Sequence, residues 1–213
     1  MRLVIISDTH GLHEQLAPMH GDVLIHCGDM GDYWQQDHRS LKWLDDWFGE
    51  QDFKRIFCTG GNHDGLLQRF LATRKPMFQN AEFLLDETVE YGGLTFHGSP
   101  WVPDLARMAF YASTDQLRAA WQKIPTGVDV LITHTPAFGI RDQTQGGMNT
   151  GCRELATALE RIAPRVHCFG HAHYSHGQSQ QGKTLFVNAA LKGREARLIN
   201  APIVVNLEGL SAD

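Results

Sequence analysis

Leu3-Val4-Ile5-Ile6-Ser7-Asp8-Thr9-His10-Gly11 opens the chain with an apolar, β-branched run that stops on Asp8 and His10. The run has strand length, and its unbroken apolar character marks a strand buried on both faces, as in a parallel sheet packed between helices. The same pattern recurs. Residues 23–26 lead into Cys27-Gly28-Asp29, and residues 55–58 lead through Thr59 and Gly60 into Gly61-Asn62-His63-Asp64. Residues 128–133 run into His134-Thr135-Pro136, and residues 166–169 into Gly170-His171-Ala172-His173. Runs at 94–97, 184–187 and 203–207 also have strand length.

Helical periodicity lies between some of these runs. Leu41, Leu44 and Phe48 fall on one helical face, as do Leu155, Ala158, Leu159 and Ile162. A third helix is expected to open at Ser113, where Ser113 and Gln116 fit a capping box ahead of Leu117, Ala120 and Trp121. Helices mixed with doubly buried strands predict an α/β sandwich. No repeat, low-complexity tract or linker interrupts the 213 residues, so a single domain over 1–213 is expected.

The net charge is −5, from 19 basic and 24 acidic residues, and the basic residues are scattered. A protein that tracks long nucleic acid shows a basic stripe, so no such partner is expected. A small anionic substrate remains compatible, because bound metals add positive charge that a residue count omits. No apolar stretch approaches the roughly 20 residues that cross a bilayer, so no membrane partner is expected. The N-terminal apolar run is too short for a secretory signal, which makes the cytoplasm the expected location. Cys27, Cys58, Cys152 and Cys168 form no close pair and read as reduced, buried thiols.

In open α/β sheets, ligands gather at the carboxyl ends of strands. Five such ends would bring together Asp8, His10, Asp29, Asn62, His63, His134, His171 and His173. Asp8 and His10 alternate, as do His171 and His173, so in extended chain each pair would point one way. Imidazoles with carboxylate and amide oxygens, and no thiolate, suit Mn, Fe, Zn or Co rather than a structural cysteine site. Asp29 carries two oxygens and is able to bridge two ions. Glycines at 28, 61 and 170 would allow tight approach. Asp8-x-His10 alone reads as a turn or cap, and His134 alone as a hydrogen-bonded strand-end histidine; the ordered set of five points to a metal centre.

That set resembles the five ordered motifs of the calcineurin-like metallophosphoesterase superfamily. The segments 3–13, 24–29, Gly98-Ser99-Pro100-Trp101 and 200–205 further resemble the metallophosphoesterase-domain-containing (MPPED) phosphodiesterases, and the resemblance runs from Arg2 to about Leu207. It implies a four-layer αββα sandwich holding two divalent ions, manganese first among the candidates. One ion would take Asp8, His10, Asp29 and His173; the other would take Asp29, Asn62, His134 and His171. His63 would be the catalytic residue over the site, and Asn62 and His63 would meet the substrate. The protein phosphatases of the superfamily continue the second motif as Asp-Arg-Gly, whereas here Asp29 precedes Met30-Gly31-Asp32-Tyr33-Trp34. That departure favours a phosphodiesterase of small diesters, cyclic nucleotides among them. A phosphomonoesterase or a nuclease on the same centre is the alternative, with a non-catalytic scaffold behind it. Such scaffolds lose ligands, and none is missing here.

The remaining candidates have plainer readings beside them. Asp64 either orients a histidine or serves a turn, and Asp32 reads as a solvated turn carboxylate. His13 and His26 flank motifs but read as packing. His97 precedes a loop that would approach substrate, and Trp101 reads as core before it reads as a base-stacking platform. Trp34, Trp43, Trp47 and Trp121 read as core. His20, His38, His167 and His176 carry no assignment.

Overall fold

All eight apolar runs form strands, and the three helices expected between them form as well. The computed structural model of the chain describes residues 1–31, 37–73, 77–193 and 197–207, so the readings of Asp32 and Trp34 lie outside the described residues. In chain order the elements are β1 (Arg2–Ile6), β2 (His20–His26), α1 (His38–Gly49), β3 (Asp52–Cys58) and α2 (Gly65–Leu71). Next come β4 (Glu82–Phe83), β5 (Glu87–Tyr91), β6 (Leu94–Ser99), α3 (Thr114–Lys123), β7 (Val130–Thr133) and α4 (Arg153–Ile162). The chain continues through β8 (Val166–Phe169), β9 (Gly177–Gln181), β10 (Thr184–Asn188) and β11 (Ile203–Asn206).

Two sheets result. One has the order β11-β1-β2-β3-β4 and the other β5-β6-β7-β8-β10-β9. Within the first, β1, β2, β3 and β4 run parallel; within the second, β6, β7, β8 and β10 do. The strand period of two divides each sequence between layers. Leu3, Ile5, Val23, Ile25 and Phe57 face Phe96, Val130, Ile132, Val166, Cys168 and Val187 across the inter-sheet core. Their neighbours Val4, Ile6, Leu24 and Ile56 face outward onto Leu41, Leu44, Phe48 and Leu67 of α1 and α2. On the far side, Leu131, Phe169 and Phe186 meet Leu117, Trp121, Leu155, Leu159 and Ile162 of α3 and α4. The result is a four-layer αββα sandwich, and each fully buried side chain of this kind adds about 1.5–3 kcal/mol of transfer free energy.

Asp37 caps α1 by accepting from the backbone N–H groups of Arg39 and Ser40. The capping box at Ser113 and Gln116 is present at α3. The four cysteines are free and buried. No helix among the described residues is long and apolar enough to cross a membrane. Because the parallel strands of both sheets end on one edge, their C-terminal turns converge there.

Candidate metal centre

The five turns interlock through their own backbone. Asp8 and His10 donate N–H groups to the carbonyls of Gly28 and Asp29, both at 3.0 Å, and Gly170 donates to His134 O at 3.1 Å. His63 N–H donates to Asp29 Oδ1 at 2.7 Å, and His171 N–H to Asp8 Oδ2 at 3.0 Å. The turns are tighter than an extended reading of Asp-x-His allows. Asp8, His10, Asp29 and His171 all have left-handed backbone, with φ of 56°, 45°, 53° and 66°. The Asp8 and His10 side chains therefore converge by turning, not by strand alternation. Space is equally tight: a Cβ on Gly170 would collide with the Asp8 carboxylate and the Ser7 side chain.

The side chains meet in two adjoining groups. In the first, Asp8 Oδ1 lies 3.0 Å from His173 Nε2 and 3.9 Å from His10 Nε2, while His10 Nε2 is 3.8 Å from Asp29 Oδ2. In the second, His134 Nε2 lies 3.0 Å from Asn62 Oδ1, 3.4 Å from Asp29 Oδ2 and 3.3 Å from His171 Nδ1. His171 Nδ1 is 2.9 Å from Asn62 Oδ1. Asp29 joins the groups through Oδ2 alone, because Oδ1 is committed to the His63 N–H. Oδ2 is thus the Asp29 oxygen that both groups face. His63 stands at the mouth, one-third exposed, with Nε2 4.0 Å from Asp29 Oδ2 and its ring edge-on to His10 at 4.8 Å.

These contacts suit cations. His134 Nδ1 faces the Cys27 carbonyl at 2.9 Å, so that nitrogen carries a proton and Nε2 is the atom turned into the site. Nε2 confronts the oxygens of Asn62 and Asp29 and a nitrogen of His171. One proton satisfies one such contact; a divalent ion satisfies the whole group. His10 Nε2 is likewise buried without a hydrogen-bond partner. Metal-capable triads form from Asp8, His10 and His173, from His10, Asp29 and His63, and from Asp8, Asp29 and His134, each with ligand atoms within 4.8 Å of one another.

Electrostatics point the same way. Burial pushes the Asp29 carboxyl up, but the charge and hydrogen bond of His134 outweigh it and hold it well below the usual range. Burial acts likewise on Asp8, where His173 prevails and lowers it. Burial depresses His134, yet Asp29 raises it to about 9. His10 and His171 are pushed down to about 4, chiefly by burial, and stay neutral with lone pairs available. Two buried carboxylates thus make a hollow that attracts positive charge.

The flanking residues sort by contact. Both Asp64 oxygens accept backbone N–H groups, from Gly31 at 3.0 Å and Gly61 at 2.9 Å, so this carboxylate clamps two turns together. His26 Nε2 lies 3.0 Å from Thr9 Oγ1 and supports the Asp8–His10 turn from behind. His13 is buried against Trp43 and Trp47, with ring centroids 4.1 and 5.2 Å away. Trp47 and Trp121 are buried, whereas Trp43 is half-buried. His97 Nδ1 pairs with Thr88 Oγ1 at 2.8 Å, and the Trp101 indole N–H donates to the Asp86 carboxylate. These last two pack the fold.

The family profile of calcineurin-like phosphoesterases matches residues 1–175. The human and mouse Metallophosphoesterase domain-containing protein 1 are each 32% identical to this chain over 232 residues, covering 97% of it and 71% of each relative. Among solved structures, the phosphopantetheinyl hydrolase of Mycobacterium tuberculosis superposes with a TM-score of 0.60 at 14% identity, covering 88% of both chains. A Thermus thermophilus protein does so with a TM-score of 0.58 at 14% identity, again over 88% of each. The two likenesses concern the fold.

Proposed function

The chain belongs to the calcineurin-like phosphoesterase family, and from that premise we propose that it hydrolyses small phosphodiesters, cyclic nucleotides among them, with two divalent ions. One observation carries the reading: two ligand groups share a single oxygen, Asp29 Oδ2, and every ligand-type residue of both groups is present. Asp8, His10, Asp29 and His173 would hold one ion, and Asp29, Asn62, His134 and His171 the other. Manganese heads the candidates for both. Two such ions, when bound, clamp a phosphoryl group, stabilise charge on its entering and departing oxygens and lower the pKa of water.

The chain's own groups do the rest. His63, at the mouth and partly open to solvent, donates a proton to the departing oxygen. Asn62 turns its carbonyl oxygen toward His134 and His171, which leaves its amide N–H₂ to donate to a phosphoryl oxygen. Asp64 fixes the turns carrying Asp29 and Asn62, so the groups are held in place before substrate arrives. The turn after Asp29 supplies Met30 and Gly31 where protein phosphatases supply an arginine, which favours a diester over a phosphoprotein. The scattered basic residues favour small substrates over long nucleic acid.

The test compares turnover of bis-p-nitrophenyl phosphate and p-nitrophenyl phosphate with Mn²⁺, then a panel of cyclic nucleotides and linear diesters. The diester should be cleaved faster. A clear monoester preference removes the diesterase reading.

A further inference from the structure

The segment that leaves β10 crosses from one sheet to the other beside the metal centre. Ala189 N–H still donates to Phe169 O of the second sheet, at 2.8 Å. Ala190 forms a parallel bridge with Ser7, and Leu191 N–H donates to Ser7 O at 3.0 Å, extending the first sheet past β1. The Leu191 carbonyl in turn accepts from Ile199 and Asn200, and Lys192 bridges Leu198. Lys192 therefore sits on braced backbone, two residues beyond the one paired with Ser7, alongside the Asp8–His10 turn.

Its chemistry there is unused. Lys192 is half-buried and forms no ion pair with a carboxylate among the described residues. The nearby Arg141 is committed, since its guanidinium donates to the carbonyls of Ser175, His176 and Gln178. The turn after Asp29 offers no cation in Met30 and Gly31.

We propose that Lys192 is the phosphate-facing cation of this centre, meeting the phosphoryl oxygens from the β1 side. The proposal rests on the phosphoesterase reading and names a residue that its ligand set does not contain. An ammonium is a compact point charge on a flexible stem, suited to a tetrahedral oxyanion that changes shape during reaction. Free of a carboxylate partner among the described residues, it meets developing negative charge without first having to leave another group.

The experiment uses the full chain loaded with Mn²⁺ and inorganic phosphate as the probe, with binding followed by calorimetry and metal content by elemental analysis. Wild type, K192M, K192Q and K192R are compared. K192M and K192Q should bind phosphate about tenfold more weakly or worse, with metal content and melting temperature unchanged. K192R should recover most of the affinity. Wild-type affinity in K192M or K192Q overturns the proposal, as does a metal-loaded wild type that binds no phosphate. Loss of metal in all three variants also overturns it, because Lys192 would then shape the centre instead of meeting phosphate. Failure of the diesterase reading registers separately, as a monoester preference of the wild type, and leaves the phosphate titration to stand or fall by itself.

Discussion

Replacing Gly61 with alanine places a methyl group in the tightest part of the centre. The added Cβ would lie 2.6 Å from Asp29 N, 2.8 Å from His134 Cε1 and closer still to Asp29 Oδ1. Ordinary contact begins near 3.4 Å, so one partner must give by most of an ångström. None gives easily: Asp29 is held by the Gly61–His63 turn and by left-handed backbone, and His134 is fully buried against the Cys27 carbonyl. Gly61 itself has no positive φ, so the penalty is steric and not conformational. Overpacking of this kind costs about 1–3 kcal/mol, or about 2–4 °C of melting temperature per kcal/mol at this size. Displacing the Asp29 carboxylate, whose Oδ2 both ligand groups face, should cost about a hundredfold or more in kcat/KM, as misplacement by ~1 Å does elsewhere. The assay is diester turnover with Mn²⁺ beside elemental analysis, which should show metal below two ions per chain. Gly127→Ala is the control, because Gly127 has φ of 78° with nothing within 4 Å of the new Cβ. It should lose about 1 kcal/mol of stability through backbone strain and keep full turnover. A G61A protein with two ions and wild-type turnover would refute the reasoning.

Other outcomes follow from the same contacts. His63→Ala should lose most turnover while metal content stays near wild type; loss of both would make His63 a ligand, a role its place in the His10–Asp29 triad permits. Asp29→Ala should empty both positions, because Oδ2 faces both groups, and two retained ions would contradict the shared oxygen. Away from the centre, burial pushes His97 to about 4 and His167 to about 3, below their ordinary 6.5. Folded values below the unfolded one mean that the unfolded chain takes protons first, so stability is full above pH 6.5 and falls as acid is added. Each group should remove about 2 kcal/mol between pH 7 and pH 5, read by urea unfolding. His167→Gln, which can keep the Thr133 hydrogen bond, should flatten that dependence, and an unchanged slope would show that His167 does not titrate on unfolding.

The legible parts of the fold were those whose residues serve two faces. β1 buries Leu3 and Ile5 inward and Val4 and Ile6 outward, so its sequence is apolar without a gap. β5 and β9 are sheet edges with the sequences Glu-Thr-Val-Glu-Tyr and Gly-Gln-Ser-Gln-Gln, polar enough to pass for loops, and β4 has two residues. Helix α2 spans seven residues directly after the Asn62–Asp64 turn and lacks the length for a periodic signal. In the centre, residue types and their order after strands pointed to metal chemistry. Backbone shape did not show: nothing in Asp-x-His distinguishes an extended pair from two left-handed turns. Nor does Asp29 alone reveal that one of its oxygens is engaged by a backbone N–H contributed 34 residues later.

Left-handed backbone at Asp8, His10, Asp29 and His171 restricts which side chains those positions can carry at all. β-branched residues are genuine outliers there, whereas Asp, Asn and His are several-fold enriched among the residues that adopt it. Those are the same residue types that present oxygen and imidazole nitrogen to an ion. Drift at these positions is therefore channelled: the substitutions that the backbone tolerates best, glycine aside, are ones that still carry a donor atom. The geometry that crowds the centre also narrows the paths by which its donor set can be lost.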